Sequence, residues 1–343
     1  MMGHEMVFFM SDKPEFQLSN RRRFLKVSGS LGGTALLSDW PAWAQDNRET
    51  LRFGIIADVH KDVMHDADER LSSFIDHMKK ERVDFIVQLG DFCVPKEANQ
   101  PFLDIWNSFS GPRYHVIGNH DTDGGYSREQ TVDWWKMPSR YYSFQQAGMQ
   151  FIVLDGNDRP ADHAGGYPRY IAEDQLEWLR DQLDSTDLPV VVLVHQSLER
   201  ESDGGVQNGA KVRQILEDAN ASAGHRKVVA CFSGHHHRDY VRRINDILYP
   251  QINSASYHWV GAEFQHVRYS EAIDQAYPYI KYTVPYENAL FAIVTIDPTK
   301  GFMSIEGKQS AFVGPAPWDL GLKPDGWDVP TLTPNISTWK MPV

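Results

Sequence analysis

The chain has 343 residues, 41% hydrophobic, 12% aromatic and 23% charged, with a formal net charge of −12. These values exclude a disordered or collagen-like chain, and at roughly 100–200 residues per domain they allow one large domain or two small ones. The acidic balance excludes a duplex nucleic-acid binder, which needs clustered Lys and Arg to displace counterions. The two cysteines, Cys93 and Cys231, cannot build a disulfide framework or a thiolate zinc site and are expected in the core. The 14 histidines are the informative count, because they leave nitrogen and oxygen chemistry open.

Residues 20–26 read Asn-Arg-Arg-Arg-Phe-Leu-Lys, followed by an apolar, glycine-containing stretch at 27–37 and by Pro-Ala-Trp-Ala at 41–44. A basic patch, a short apolar region and a small-x-small site are the three parts of a bacterial export signal. The order Arg21-Arg22-x-Phe24-Leu25-Lys26 resembles the twin-arginine type. The apolar stretch is too short to cross about 30 Å of hydrocarbon. Gly29, Gly32 and Gly33 weaken it further as a helix, so no stable membrane anchor is expected. The reading is a signal over 1–44 cut after Ala44, the twin-arginine export machinery as partner, and a periplasmic or secreted destination.

From residue 51, short apolar runs alternate with amphipathic stretches. Runs at 51–57, 85–89, 114–117, 151–154, 190–194 and 228–232, bounded by Gly, Asp or Asn, predict buried strands. Helical periodicity at 68–82, 173–183 and 206–219 lies between several of them, which predicts an α/β fold with mostly parallel sheet. After Gly234 the texture changes to strand-like runs at 239–244, 247–252, 290–296 and 302–305. Residues 45–315 read as one domain, without repeats or a clear linker. Residues 316–343, rich in Pro and Trp, read as a tail packed on it, either covering a sheet edge or running near the cleft.

Five of the apolar runs end in polar groups. Asp58-Val59-His60 follows the first and Gly90-Asp91 the second; Gly118-Asn119-His120-Asp121 follows the third. His195 follows the run at 190–194, and Gly234-His235-His236-His237 the run at 228–232. In open α/β sheets, ligands bind outside the carboxyl ends of strands. Taken singly, an Asp or Asn there is ordinary turn chemistry, and a lone His is usually a half-buried imidazole. As an ordered set, these oxygen and nitrogen donors fit Mn, Fe, Co or Zn. They are too many for one tetrahedral ion and suit two ions sharing a carboxylate.

In this order, D-x-H, G-D, G-N-H-D, a lone His and G-H-x-H resemble the calcineurin-like metallophosphoesterase superfamily. The motifs run from Asp58 to His237. The resemblance implies a four-layer αββα sandwich of two mixed β-sheets flanked by helices. It implies two divalent or mixed-valence ions, one held by Asp58, His60 and His237, the other by Asn119, His195 and His235, with Asp91 bridging. It implies a hydrolase of small phosphate esters, with a hydroxide between the ions as nucleophile, His120 as leaving-group acid and Asp121 orienting His120. Phosphodiesters are the leading substrate class and monoesters or nucleotides the alternative. A non-catalytic scaffold is disfavoured because every motif position is filled.

Val94 stands where purple acid phosphatases carry Tyr, which argues against a tyrosinate–iron site. Tyr240 after Asp239 breaks the H-x-H-x-D-H pattern of β-lactamase-like metallohydrolases. The segment 141–178 resembles nucleoside-diphosphate-linked and cyclic-nucleotide phosphodiesterases. Substrate-facing candidates are Lys61, the turn at 121–126, the stretch 253–258 with Tyr257 and His258, and the aromatic stretch after Tyr277.

Overall fold

The computed structural model describes residues 50–323 and 332–343. The expected export signal, with Arg21 and Arg22, and part of the tail lie outside the described residues. In chain order the elements are β1 (Leu51–Ile56), α1 (Ala67–Glu81), β2 (Phe85–Gln88), α2 (Gln100–Asn107), β3 (Arg113–His115), α3 (Arg128–Trp135) and β4 (Tyr142–Gln146). They continue as β5 (Met149–Val153), α4 (Glu173–Asp184), β6 (Val190–Leu193), α5 (Gly209–Ala223), β7 (Val228–Phe232), β8 (Tyr240–Ile244) and β9 (Ile247–Gln251). The last are β10 (Tyr257–Trp259), α6 (Glu271–Ala276), β11 (Thr283–Pro285), β12 (Ala292–Asp297), β13 (Phe302–Gly307) and β14 (Trp339–Pro342).

Two six-stranded sheets result, ordered β14-β13-β12-β1-β2-β3 and β4-β5-β6-β7-β9-β8, beside a β10-β11 ribbon. Both are mixed, and the expectation of mostly parallel sheet is corrected. β1, β2 and β3 are parallel, as are β5, β6, β7 and β9. β4, β8 and the β12–β14 strands add antiparallel pairs. For β4 and β8 the cause is local: Ala147-Gly148 and Asn245-Asp246 hold positive φ at tight turns, which closes hairpins instead of helical crossovers. In the other sheet, β12 pairs with β1 and β14 with β13 from distant parts of the chain.

Period-two alternation sorts the central strands of the second sheet between two cores. Phe151, Val153, Val191, Leu193 and Phe232 of the second sheet join Phe53, Ile55, Phe85 and Val87 of the first in one cluster. The Phe53 and Phe151 rings meet there edge to face, 5.7 Å apart. The alternate residues Ile152, Val190 and Val192 pack instead with Leu176, Leu179 and Leu183 of α4 and Val212, Ile215 and Leu216 of α5. Each such buried side chain contributes roughly 1.5–3 kcal/mol, so the strand ends above them sit on a rigid base.

α5 starts later than the periodicity suggests, because the Val206 amide donates to the Ser197 carbonyl (2.9 Å) and holds that segment in a loop. α2 and α3 had no clear sequence signal. The first is short and begins at Gln100-Pro101; the second is polar and is set by a Ser127/Gln130 capping box. The tail returns as β14, which covers the β13 edge. Among the described residues, no helix is long and apolar enough to cross a membrane.

Candidate metal centre

The parallel strands β1, β2 and β3 of one sheet and β6 and β7 of the other deliver their following residues to one place. Asp58, His60 and His237 place ligand atoms within 4.8 Å of one another, and so do Asp91, His195 and His235. The two triads touch through carboxylates. Asp91 Oδ2 lies 3.2 Å from His195 Nε2 and 3.7 Å from His60 Nε2. Asp58 Oδ1 lies 3.3 Å from His237 Nε2 and 4.0 Å from His195 Nε2. The Nε2 atoms of His60 and His237 are 3.2 Å apart.

The backbone is bent to achieve this. Asp58, His60, Asp91, His235 and His237 all adopt left-handed φ, between 50° and 74°, a region costly for residues with a Cβ. The other positive-φ residues with side chains, among those described, are Arg82 and Lys136 at helix ends and Ala147, Asn245 and Asp246 at hairpins. A hydrogen-bond lattice holds the bent loops. The Asp58 and His60 amides donate to the Gly90 and Asp91 carbonyls (3.0 and 2.9 Å). The Ser254 and Ser256 hydroxyls donate to the Asp58 and Val59 carbonyls (2.9 and 2.7 Å). Two glycines make room. A Cβ on Gly90, itself at φ +96°, would lie 2.5 Å from His195 Nδ1, and one on Gly118 would fall onto the Asp91 carboxylate.

Several donors are poised for a cation. His195 Nδ1 donates to the Leu89 carbonyl and His237 Nδ1 to the Tyr257 carbonyl, both at 2.7 Å. A carbonyl only accepts, so in the neutral ring the lone pair sits on Nε2 and faces the cluster. His195 Nε2 and Asn119 Oδ1 are buried without a hydrogen-bond partner, a costly state that a bound cation would relieve. Burial pushes the His195 imidazole down, but the Asp91 and Asp58 carboxylates outweigh it and hold it up at about 9. Burial holds His60 and His235 well below their ordinary value. Burial would raise the Asp91 carboxyl, yet His195 and His120 outweigh it and keep it well below the usual range. Metal binding requires ionised carboxylates and neutral imidazoles. Asp91, His60 and His235 are already in those states, and a bound cation would displace the proton that the carboxylates hold on His195.

His120 sits beside the cluster, its ring centroid 5.3 Å from that of His60. The expectation that Asp121 orients it is corrected. Asp121 is buried, and its carboxylate accepts from the Gly118, Asp91 and Phe92 amides (2.7, 2.9 and 2.6 Å), bracing two motif loops against each other. Burial and the Asp91 charge push that carboxyl up to about 8. The partner of His120 is Asp123, whose Oδ2 lies 2.7 Å from Nδ1. Tyr167 completes the group, its hydroxyl donating to Asp123 Oδ1 (2.7 Å) and lying 3.1 Å from His120 Nδ1. Burial lowers the His120 imidazole, but Asp91 and Asp123 outweigh it and hold it at about 9. The sequence marks the turn at 121–126 as substrate-facing without singling out Asp123, and Tyr167 comes from a loop far along the chain.

The sequence profile of the calcineurin-like phosphoesterase family matches residues 51–239. The chain belongs to that family. Members of the calcineurin-like phosphoesterase family use two divalent metal ions, and the paired triads fit this requirement. Among curated proteins, a manganese-dependent ADP-ribose/CDP-alcohol diphosphatase of Arabidopsis thaliana is 26% identical over 206 residues, 45% of this chain and 65% of that protein. One from Oryza sativa subsp. japonica is 27% identical over 213 residues, 47% of this chain and 64% of that protein. The match thus spans just under two thirds of either relative. A dimetal phosphatase from Danio rerio shares the fold, with a TM-score of 0.55 at 16% identity over 77% of this chain and 98% of its own.

In this calcineurin-like phosphoesterase, a cavity of about 790 Å³ opens above the candidate ligands His60, Asp91, His235 and His237. His120, Asp123 and Tyr167 form one side of it, and Tyr257, His258, Trp259 and Tyr279 form another. Tyr257 is buried and stacks on His60 with centroids 4.9 Å apart. Lys61, a substrate-facing candidate from the sequence, is instead paired with Asp68 at 2.8 Å.

Proposed function

We propose that the protein is an exported, metal-dependent phosphoesterase that hydrolyses phosphodiesters of small molecules. Asp58, His60 and His237 would hold one ion, Asn119, His195 and His235 the other, with Asp91 available to both. The observation that carries this reading is the meeting of two nitrogen–oxygen triads at Asp91, on the floor of an open cavity with His120 at its side. The bound ions supply charge neutralisation for the phosphoryl group and activation of a water nucleophile. Manganese is the first metal to test, since the curated relatives are named as manganese-dependent.

The chain's own residues supply the rest. Asp123 accepts from His120 Nδ1 and Tyr167 bonds to Asp123, so the ring is fixed and Nε2 is the nitrogen left to serve the substrate. The Asp123 carboxylate at Nδ1 favours the charged ring, which can deliver its Nε2 proton to a departing alkoxide. The diester preference follows from charge. Among the residues lining the cavity there is no Lys or Arg to meet the second negative charge of a monoester. Export rests on the basic, apolar and small-residue pattern of 20–44.

The deciding experiment is hydrolysis of bis-p-nitrophenyl phosphate and p-nitrophenyl phosphate by protein of known metal content. Turnover of the diester, faster than of the monoester and abolished by metal removal, is expected. A fully metallated protein inert to both would overturn the reading.

A further inference from the structure

Among the described residues only five large hydrophobic side chains are strongly exposed, and three of them, Tyr167 (44%), Trp259 (47%) and Tyr279 (58%), line the cavity above the metal centre. Isolated exposed rings need no explanation, but rings gathered around one concavity mark a binding surface. The wall is held in place from behind. Trp259 lies in β10, paired with β11. Tyr282 stands between the two outer rings, its centroid 5.9 Å from that of Trp259 and 6.3 Å from that of Tyr279. The wall is also poor in charge. No Lys or Arg lines the cavity, and its side-chain anions are Asp91 at the floor and Asp123, already bonded to His120 and Tyr167.

These features describe what the wall can hold. The Trp259–Tyr279 face offers an anion no Lys or Arg, and a flexible alkyl chain would gain no more from rings than from aliphatic side chains. A flat ring gains both apolar burial and the preferred offset or edge geometry of an aromatic pair. We infer that Trp259 and Tyr279 form a stacking platform for a flat, uncharged ring in the organic part of the phosphodiester, with Tyr167 closing its inner end. The inference rests on the phosphoesterase reading and deepens it by naming the substrate's other half. It concerns the organic part alone, because the adjoining cavity, which shares Asp123 and Tyr167, carries Arg128 and Arg159.

The test is binding, independent of turnover. Methyl phenylphosphonate and methyl methylphosphonate each carry the single negative charge of a diester and differ in the ring, and both are titrated calorimetrically into manganese-loaded protein. Methyl phenylphosphonate is expected to bind wild-type protein more tightly. Trp259→Ala and Tyr279→Ala should each weaken it roughly three- to tenfold, the range of a lost aromatic pair, and leave methyl methylphosphonate unchanged. Trp259→Phe should restore most of the loss, which a merely misfolded wall would not. Equal affinity of the two probes for wild-type protein, or equal weakening of both in the variants, would overturn the platform alone. Failure of either phosphonate to bind protein shown to hold two metals would remove the phosphoesterase reading and the platform together.

Discussion

The floor and the wall of the cavity differ in burial, in origin and in backbone. On the floor, Asp58 and His195 are fully buried, five candidate ligands are held at left-handed φ, and every ligand follows a core strand within a few residues. On the wall, Tyr167, Trp259 and Tyr279 stand open and come from the segment after β5, from β10 and from the segment after α6. Strained backbone survives only where the surroundings over-determine it, and the floor has that support from two sheets at once. The wall has less support and fewer constraints. Chemistry is therefore fixed by the floor, and the choice of substrate is left to the wall.

The largest separation between the two should come from Asp91→Asn. A neutral amide cannot balance two cations, and Asp91 Oδ2 lies 3.2 Å from His195 Nε2 and 3.7 Å from His60 Nε2, one imidazole of each triad. Metal content should fall below two ions per chain, and diester hydrolysis by well over about a hundredfold, since groups one bond further out already cost 10–100-fold. Elemental analysis beside the assay checks this. Two retained ions with normal turnover would reduce Asp91 to a turn residue.

His120 lies where floor and wall meet, and changes there should spare the metals. His120→Ala should lower turnover of an alkyl diester by roughly 10²–10⁴, the range of general acid catalysis, and that of a p-nitrophenyl ester much less, because p-nitrophenolate departs without a proton. Asp123→Asn should copy that leaving-group dependence at reduced size. Asp121→Asn should instead lose metal, because its carboxylate braces the Gly118, Asp91 and Phe92 amides. Equal losses on both esters in His120→Ala would make the ring an electrostatic group rather than an acid.

The same contrast explains what the sequence could disclose. The floor is written in short motifs, since strand, turn and ligand are adjacent in the chain, and Asp58, His60, Asp91, His195, His235 and His237 fall together as the spacing implies. The sheets were legible from apolar alternation, but their mixed direction depended on two-residue hairpin turns in one sheet and on the long-range pairing of β12 with β1 in the other. The pairing of His120 was misassigned to its neighbour Asp121. In a 3₁₀ turn over His120–Gly125, the residue three positions on lies beside the imidazole, and only the folded turn reveals it. Tyr167 reaches Asp123 across 44 positions of sequence, a closure that no local pattern announces.

The smallest expected effect tests the support beneath the floor. His115 ends β3, stacks on Trp135 with centroids 5.0 Å apart, and its Nδ1 lies 3.1 Å from the Gln88 amide. Gln88 in turn accepts from the Gly90 amide, which joins this buried pair to the loop that carries Asp91. Burial pushes the His115 imidazole down from 6.5 to about 3, with Arg113 adding to the effect. The folded value lies below the unfolded one, so the unfolded chain takes up a proton that the native protein refuses. The stability contributed by the neutral ring is therefore complete above about 6.5 and is lost progressively as the pH falls toward 3. Its share of the slope approaches about 1.4 kcal/mol per pH unit between those limits. Urea unfolding of metal-free protein from pH 7 to pH 4 should show a shallower loss in His115→Gln than in wild type, whatever the two stabilities at pH 7. The wall offers the control. His236, held near 3 by burial and by Arg200, also refuses its proton, but it lines the open cavity and bonds Ser197 at 2.9 Å rather than the Gln88 network. His236→Gln should flatten the same pH slope while leaving metal affinity intact, whereas His115→Gln should weaken both. Identical metal affinity in the two variants would separate His115 from the cradle and leave it an ordinary core histidine.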